Sequence, residues 1–222
     1  MRSFRIVAGA ALIVGAGVGL THAAPQAAKP AAVNQYIGAA KCKNCHNSAS
    51  SGDQFGKWKQ QKHAKAYETL ATLEAKKVGK DHGVEDPQKS DACLKCHSTA
   101  FKEEPAKVMK GFDPDAGVQC ESCHGPGQKH MKARMAAAAA AGADDGKETP
   151  RVEIPKDEIV ARPEMSTCTV CHNPKDSPSY KPFCFKKRTQ EIAHLDPRDT
   201  KAAEDLKNVQ CDCDECKKAG GK

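Results

Sequence analysis

The pentapeptide Cys120-Glu-Ser-Cys123-His124, closed by Gly125-Pro-Gly127, occurs in three further copies: Cys42-Lys-Asn-Cys45-His46, Cys93-Leu-Lys-Cys96-His97 and Cys168-Thr-Val-Cys171-His172. Each copy has the same Cys-x-x-Cys spacing and the same following histidine. Two thiols at that spacing can form thioethers to the vinyl groups of one porphyrin, while the adjacent imidazole reaches the iron from the proximal side. Zinc ribbons use Cys-x-x-Cys pairs but have no reason to place a histidine after every one. A thioredoxin-like dithiol would open a helix after a strand, and no strand pattern precedes any of the four. The motifs therefore predict four covalently attached haem c groups. Cys42, Cys45, Cys93, Cys96, Cys120, Cys123, Cys168 and Cys171 would hold them, and His46, His97, His124 and His172 would be the proximal iron ligands.

Outward from the motifs, the chain offers little with which to build an apolar core. Aromatic residues make up 5% of its 222 residues, mean hydropathy is −0.65, and no segment after the N-terminus shows the Val/Ile/Leu pattern of a buried sheet. The expected fold is mainly α with extensive loops and little or no β-sheet, a multihaem cytochrome c arrangement organised around four haems that fill the interior. Folding would then be coupled to cofactor attachment.

The N-terminus reads as an export signal. Met1-Arg-Ser-Phe-Arg5 is followed by the uncharged apolar run Ile6–Leu20 and by Thr21-His22-Ala23, with cleavage expected after Ala23. The run is short for a membrane span. The expected organisation is a signal peptide at 1–23, a flexible Ala/Pro-rich lead-in at 24–35, a tetrahaem domain at 36–198 and a Cys/Lys-rich tail at 199–222. Taking Arg2 and Arg5 from the chain's net charge of +7 leaves +5. Lysines interleaved with Glu and Asp describe a solvated surface rather than a nucleic-acid interface.

The second axial position of each iron separates electron transfer from ligand chemistry. Removal of His22 with the signal leaves four histidines outside the motifs: His63, His82, His130 and His194. That number matches the four irons and would leave Met109, Met131, Met135 and Met165 unused. The segment Phe55–Leu73 reads as a helix after Ser51-Gly-Asp53 and would mount His63 rigidly. His130 follows the Gly-Pro-Gly turn and opens an Ala-rich helix through Ala141 that stops at Gly142. His194 ends a helix near Lys186–Ala193. His82 lies in Gly79-Lys-Asp-His-Gly83, a loop composition that suits a solvated histidine as well as a ligand.

Trp58-Lys-Gln-Gln-Lys-His63-Ala-Lys-Ala66 and Cys120-Glu-Ser-Cys-His-Gly-Pro-Gly127 together resemble the tetrahaem cytochrome c-554/c-prime family, over about Tyr36 to His194. The resemblance implies cross-chain ligation, pairing His46 with His130, His124 with His63 and His172 with His194, and closely stacked haems. It also implies that the second haem, here that of His97, can lack a distal ligand. His82 is a departure, because it could close that site.

The tail is another departure. Cys184, Cys211, Cys213 and Cys216 belong to no Cys-x-x-Cys-His motif, and one or two disulfides are expected there in an oxidising compartment. Cys213-Asp-Glu-Cys216-Lys217 also resembles the Cys-x-x-Cys-Lys haem motif of nitrite reductases, and a small metal site is a third reading.

No Ser/His/Asp or paired-carboxylate constellation stands out. The expected function is therefore a periplasmic electron carrier that exchanges electrons with a redox protein donor and acceptor, other multihaem cytochromes among them. Outer-surface or extracellular placement is the alternative localisation. Two rival functions are an open haem at His97 that binds or reduces a small nitrogen compound, and a self-associating filament subunit to which His82 lends a ligand.

Overall fold

The computed structural model describes residues 33–141 and 154–208, which fall within one compact unit that begins at Val33. The expected signal peptide and the cysteines at 211, 213 and 216 lie outside the described residues. Ten α-helices are present among those described: α1 Ala39–His46, α2 Gln54–Gln60, α3 Ala66–Thr69, α4 Leu73–Asp81, α5 Asp91–His97, α6 Cys120–His124, α7 Gln128–Ala141, α8 Met165–Thr169, α9 Phe185–Ile192 and α10 Thr200–Lys207. Among the described residues there is no strand, only an isolated parallel bridge between Tyr36 and Val108. The fold is mainly helical with long connections, as the sequence predicts. No helix among the described residues is long and apolar enough to cross a membrane.

Every copy of the motif is helical or begins in a helix. Motif 1 ends α1, motif 2 ends α5, motif 3 is the whole of α6, and motif 4 starts in α8 and turns at Cys171–His172. One helical turn between the two cysteines puts both thiols on one side, with the histidine just beyond.

The buried interior is small and unusually polar. The buried apolar side chains include Ile37, Ala39, Leu70 and Ala202, while Ser98, Thr99, Gln119, Glu121 and Glu158 are buried beside them. Glu121, an internal residue of motif 3, is 2% exposed. Its Oε1 accepts from Ile37 N at 2.8 Å and Gly127 N at 2.7 Å, and its Oε2 accepts from Gly38 N at 2.7 Å. Burial pushes its carboxyl above the usual range, against the pull of those three amides. Gln119 completes the knot, with Oε1 accepting from Ala39 N at 2.8 Å and its own N donating to Thr99 Oγ1 at 2.7 Å. The start of α1, the segment at Ser98–Thr99, α6 and the Gly-Pro-Gly turn are thereby tied at one point.

The N-terminal end of α7 is held from a place the sequence presented as lead-in. Asn34 Oδ1 accepts from Lys129 N at 2.8 Å, and Gln35 O accepts from Gln128 N at 3.1 Å. These bonds satisfy amides that the first turn of a helix leaves without intrahelical partners.

Three segments differ from the sequence expectation. The helix expected over Phe55–Leu73 breaks at Gln61, whose ψ of 157° is extended, and continues as a 3-10 turn over Lys62–Lys65 before α3. The break frees the His63 carbonyl to accept from Val118 N at 2.9 Å, and Trp58 Nε1 donates to Val118 O at 2.9 Å. Gly117 has a φ of +74°, and a Cβ there would lie 2.8 Å from the His63 carbonyl oxygen, so only glycine allows this approach.

The second difference is at Gly79–Asp81, which belongs to α4 rather than to a loop. Thr72 caps that helix, accepting from Ala75 N at 3.2 Å, and Gly79 lets it pack closely on Pro87. The third is α10, inside the stretch expected as tail. Asp199 caps it, accepting from Ala202 N at 3.0 Å, and Gln190 Nε2 joins it to α9 through Leu206 O at 2.6 Å.

Glu121→Ala would leave three buried N–H groups without an acceptor, at about 1–3 kcal/mol each. A guanidinium titration of the haem-loaded protein should show a loss of at least about 3 kcal/mol for Glu121→Ala. Glu121→Gln, which keeps one carbonyl acceptor, should lose less.

Candidate haem-binding site

Six histidine rings meet in three pairs. His46 of α1 and His130 of α7 are stacked with centroids 6.0 Å apart and planes at 26°. His63 of the 3-10 turn faces His172 of motif 4 at 6.0 Å and 82°. His124 of α6 faces His194, just past α9, at 5.8 Å and 72°. Each pair joins one motif histidine to one of the three predicted distal residues. Only the first has the partner implied by the family resemblance. His63 meets His172 rather than His124, and His194 meets His124 rather than His172. The physical reason lies in backbone anchors: the Val118 bond fixes His63, and Gly52 (φ +104°) fixes the approach beside His194. A Cβ on Gly52 would sit 2.3 Å from the Leu195 carbonyl oxygen.

The separations fit a metal between the rings. Two metal–nitrogen bonds of about 2 Å each, plus the half-widths of two imidazoles, come to about 6 Å. Burial pushes His46, His63 and His124 below the usual imidazole range, which favours the neutral form that a metal requires. Several rings are also locked at Nδ1. His124 Nδ1 contacts Val160 O at 2.6 Å, His194 Nδ1 contacts Ile192 O at 3.0 Å, and His97 Nδ1 contacts Ala66 O at 2.7 Å. His130 Nδ1 instead meets the Glu158 carboxylate at 2.7 Å. A donor-type contact at Nδ1 leaves Nε2 as the ligating nitrogen.

His97 and His82 stand apart. Among the described residues no ring is paired with that of His97. His82 is the exposed C-terminal cap of α4.

All eight motif cysteines are free thiols, as thioether formation requires, whereas Cys184 is disulfide-bonded. Their placement groups the motifs in twos. Cys42 of motif 1 lies beside Cys120 of motif 3, and Cys96 of motif 2 beside Cys171 of motif 4. The contact with Cys171 pulls the Cys96 thiol down to about 7, whereas burial pushes Cys123 up to about 11. Motifs 2 and 4 are also joined by an ion pair from Lys95 to Asp176 at 2.6 Å.

Sequence reasoning missed Glu121, Glu158, Gly52 and Gly117. The two glutamates carry no local signature, because their partners lie far away in the chain. Gly52 and Gly117 looked like ordinary turn residues.

Residues 41–125 match the family described as cytochrome c554 and c-prime. The chain is 31% identical over 141 residues to cytochrome c-554 of Nitrosomonas europaea, covering 62% of this chain and 57% of that protein. It is 30% identical over 109 residues to the multiheme cytochrome MtrA of Shewanella baltica, covering 46% of this chain and 28% of that protein. The solved structure of reduced cytochrome c554 from Nitrosomonas europaea aligns with a TM-score of 0.46 at 27% identity, covering 81% of this chain and 85% of that one. Taken with the repeated motif, the family-model and curated matches make this chain similar to multihaem cytochromes c. Within that class the likeness is to the cytochrome c-554 family, through residues 41–125, which hold motifs 1 to 3. The chain spans just over half the length of the first of these curated relatives.

The exchanged pairing has a direct spectroscopic consequence. In a variant whose fourth attachment site is removed (Cys168→Ala with Cys171→Ala), the further change His63→Ala should leave the low-spin electron paramagnetic resonance signals unaltered. His194→Ala should still remove one. The opposite result would restore the pairing implied by the family resemblance.

Proposed function

We propose that this protein is an exported tetrahaem electron carrier in which three haems have two histidine ligands and the haem of motif 2 has His97 alone. The observation that carries the reading is the set of three imidazole pairs, each about 6 Å across and each joining a motif histidine to a residue elsewhere in the chain. Haem iron at these sites would supply reversible one-electron chemistry. The chain's own residues do the rest. Eight thiols would hold the porphyrins covalently, six imidazoles would hold three of the irons, and the Nδ1 contacts keep those rings in register. Two-histidine ligation places these haems at low potential relative to His/Met ligation.

The nearness of motifs 1 and 3 at Cys42 and Cys120, and of motifs 2 and 4 at Cys96 and Cys171 and at the Lys95–Asp176 ion pair, supports two pairs of adjoining porphyrins. Electrons would pass within each pair over a short gap. Export is supported by the leader-like N-terminus and by the attachment chemistry, and the periplasm is the compartment that suits both. The partners are redox proteins, other multihaem cytochromes included.

A second reading concerns His97. Its ring has no imidazole partner among the described residues, and its Nδ1 is already bonded to Ala66 O. An iron held there would keep one axial face for a small ligand such as nitric oxide. His82, exposed at the end of α4, is the residue that could close it from this chain or from a neighbouring one.

Mass spectrometry of the haem-loaded protein should give the mature chain plus four haems. Electron paramagnetic resonance of the oxidised form should show three low-spin haems and one high-spin haem, and only the high-spin signal should respond to nitric oxide. Four low-spin signals with no nitric oxide response would remove the second reading. Fewer than four attached haems would overturn the first.

A further inference from the structure

The segment Ile154–Val160 serves two of the ligand pairs at once. Its Val160 carbonyl meets His124 Nδ1 at 2.6 Å, and Val160 N donates to His124 O at 3.0 Å. Two residues earlier, Glu158 Oε1 meets His130 Nδ1 at 2.7 Å. Lys129 pins the same strap, donating to the Asp157 carbonyl at 3.0 Å and pairing with the Asp157 carboxylate. Glu158 is 6% exposed at its side chain and His130 14%, so the contact is well shielded from water. Arg134, one turn along α7 from His130, donates Nη2 to the other Glu158 oxygen at 2.8 Å. The result is a buried relay, Arg134 to Glu158 to His130.

A carboxylate at Nδ1 differs from a backbone carbonyl there. It draws the imidazole proton more strongly and makes Nε2 a more basic donor, which favours the oxidised metal over the reduced one. His97, His124 and His194 have carbonyl partners at Nδ1. His130 has the carboxylate.

We infer that Glu158 is a positioning and tuning residue that makes His130 a stronger imidazole donor than the histidines with carbonyl partners and sets the haem of motif 1 to a lower potential than neutral partners would give, with Arg134 moderating its charge. The inference rests on the reading of His46 and His130 as the two axial ligands of that haem. It gives the strap at 154–160 a role that none of the four motifs announces. The strap meets the motif 3 haem's ligand through His124 and grades the motif 1 haem through His130, so a step in potential would lie between two haems whose motifs are tied together by Glu121.

The test is a spectroelectrochemical titration of the haem-loaded protein and of three variants, His130→Met, Glu158→Gln and Arg134→Gln, with electron paramagnetic resonance of each. His130→Met should change the low-spin signal of one haem and so identify it. Glu158→Gln, which keeps the shape and an acceptor but removes the charge, should raise the midpoint of that same haem. The expected change is at least tenfold in its oxidised-to-reduced equilibrium, which is 59 mV for one electron. The g values of that haem should move while the other haems stay in place. Arg134→Gln should shift the same haem the opposite way, a reversal that loss of packing would not produce.

A change of less than twofold in Glu158→Gln, with the His130→Met signal altered, would overturn the role of Glu158 and keep His130 as a ligand. Midpoints that move in the same direction in Glu158→Gln and Arg134→Gln would also overturn it. An unaltered low-spin spectrum in His130→Met would overturn the ligand reading itself.

Discussion

A single carboxylate inside motif 3 organises the first half of this molecule. Glu121 takes the amides of Ile37, Gly38 and Gly127, and through them it joins the start of α1 to α6 and to the turn that launches α7. His46 is carried by α1, His124 ends α6 and His130 lies in the first turn of α7, so three axial candidates depend on one buried side chain. The protein side chains supply a small apolar core, and the polar knot does part of the ordering that such a core would otherwise provide. Each buried acceptor is nearly saturated, which makes the arrangement specific: a shift in α1 would leave an amide unpaired at a cost of about 1–3 kcal/mol.

Much of the site was legible in the sequence because attachment chemistry is local. Two thiols three residues apart and the next histidine can be read without knowing anything about the rest of the chain, and the helical class followed from the absence of strand patterns. Distal histidines are a different matter. Counting them nominated His63, His130 and His194, each of which the structure sets beside a motif histidine, but which motif each faces depends on contacts between segments tens of residues apart. The Gln61 break shows the difficulty. Residues 54–69 have good helical composition, yet the bonds of Trp58 and His63 to Val118 outweigh a continuous helix. Propensity is a few tenths of a kcal/mol per residue and yields readily to such contacts.

His82 was open in the sequence for a related reason. The pair of glycines around Lys80–His82 suggested a loop, but Gly79 is required by packing on Pro87 and sits inside α4. The capping threonine at position 72 was the signal that could have extended the helix, since Thr at the first cap with Glu two residues later is a common start. Placed at the far end of α4 and exposed, His82 is a surface histidine of this chain. That leaves His97 as the motif histidine whose ring meets no other histidine ring among the described residues.

The three ligand pairs share a design in which one member comes from a motif and the other from a segment that is fixed independently. His63 is fixed by its bonds to Val118, His194 by the approach of Leu195 to Gly52, and His130 by the amide contacts of Asn34 and Gln35 at the start of α7. Anchoring of this kind sets the two imidazoles of each pair about 6 Å apart. It also fixes relative ring orientation, stacked at 26° for His46–His130 and steep at 82° and 72° for the other two. For haems held by such pairs, ring orientation and the partner at Nδ1 would be two of the protein's levers on potential. The His46–His130 pair differs from the others in both respects, since its rings are nearly parallel and its distal member meets a carboxylate. One covalent motif repeated four times can therefore give haems of unequal potential, with the difference written in the segments between the motifs.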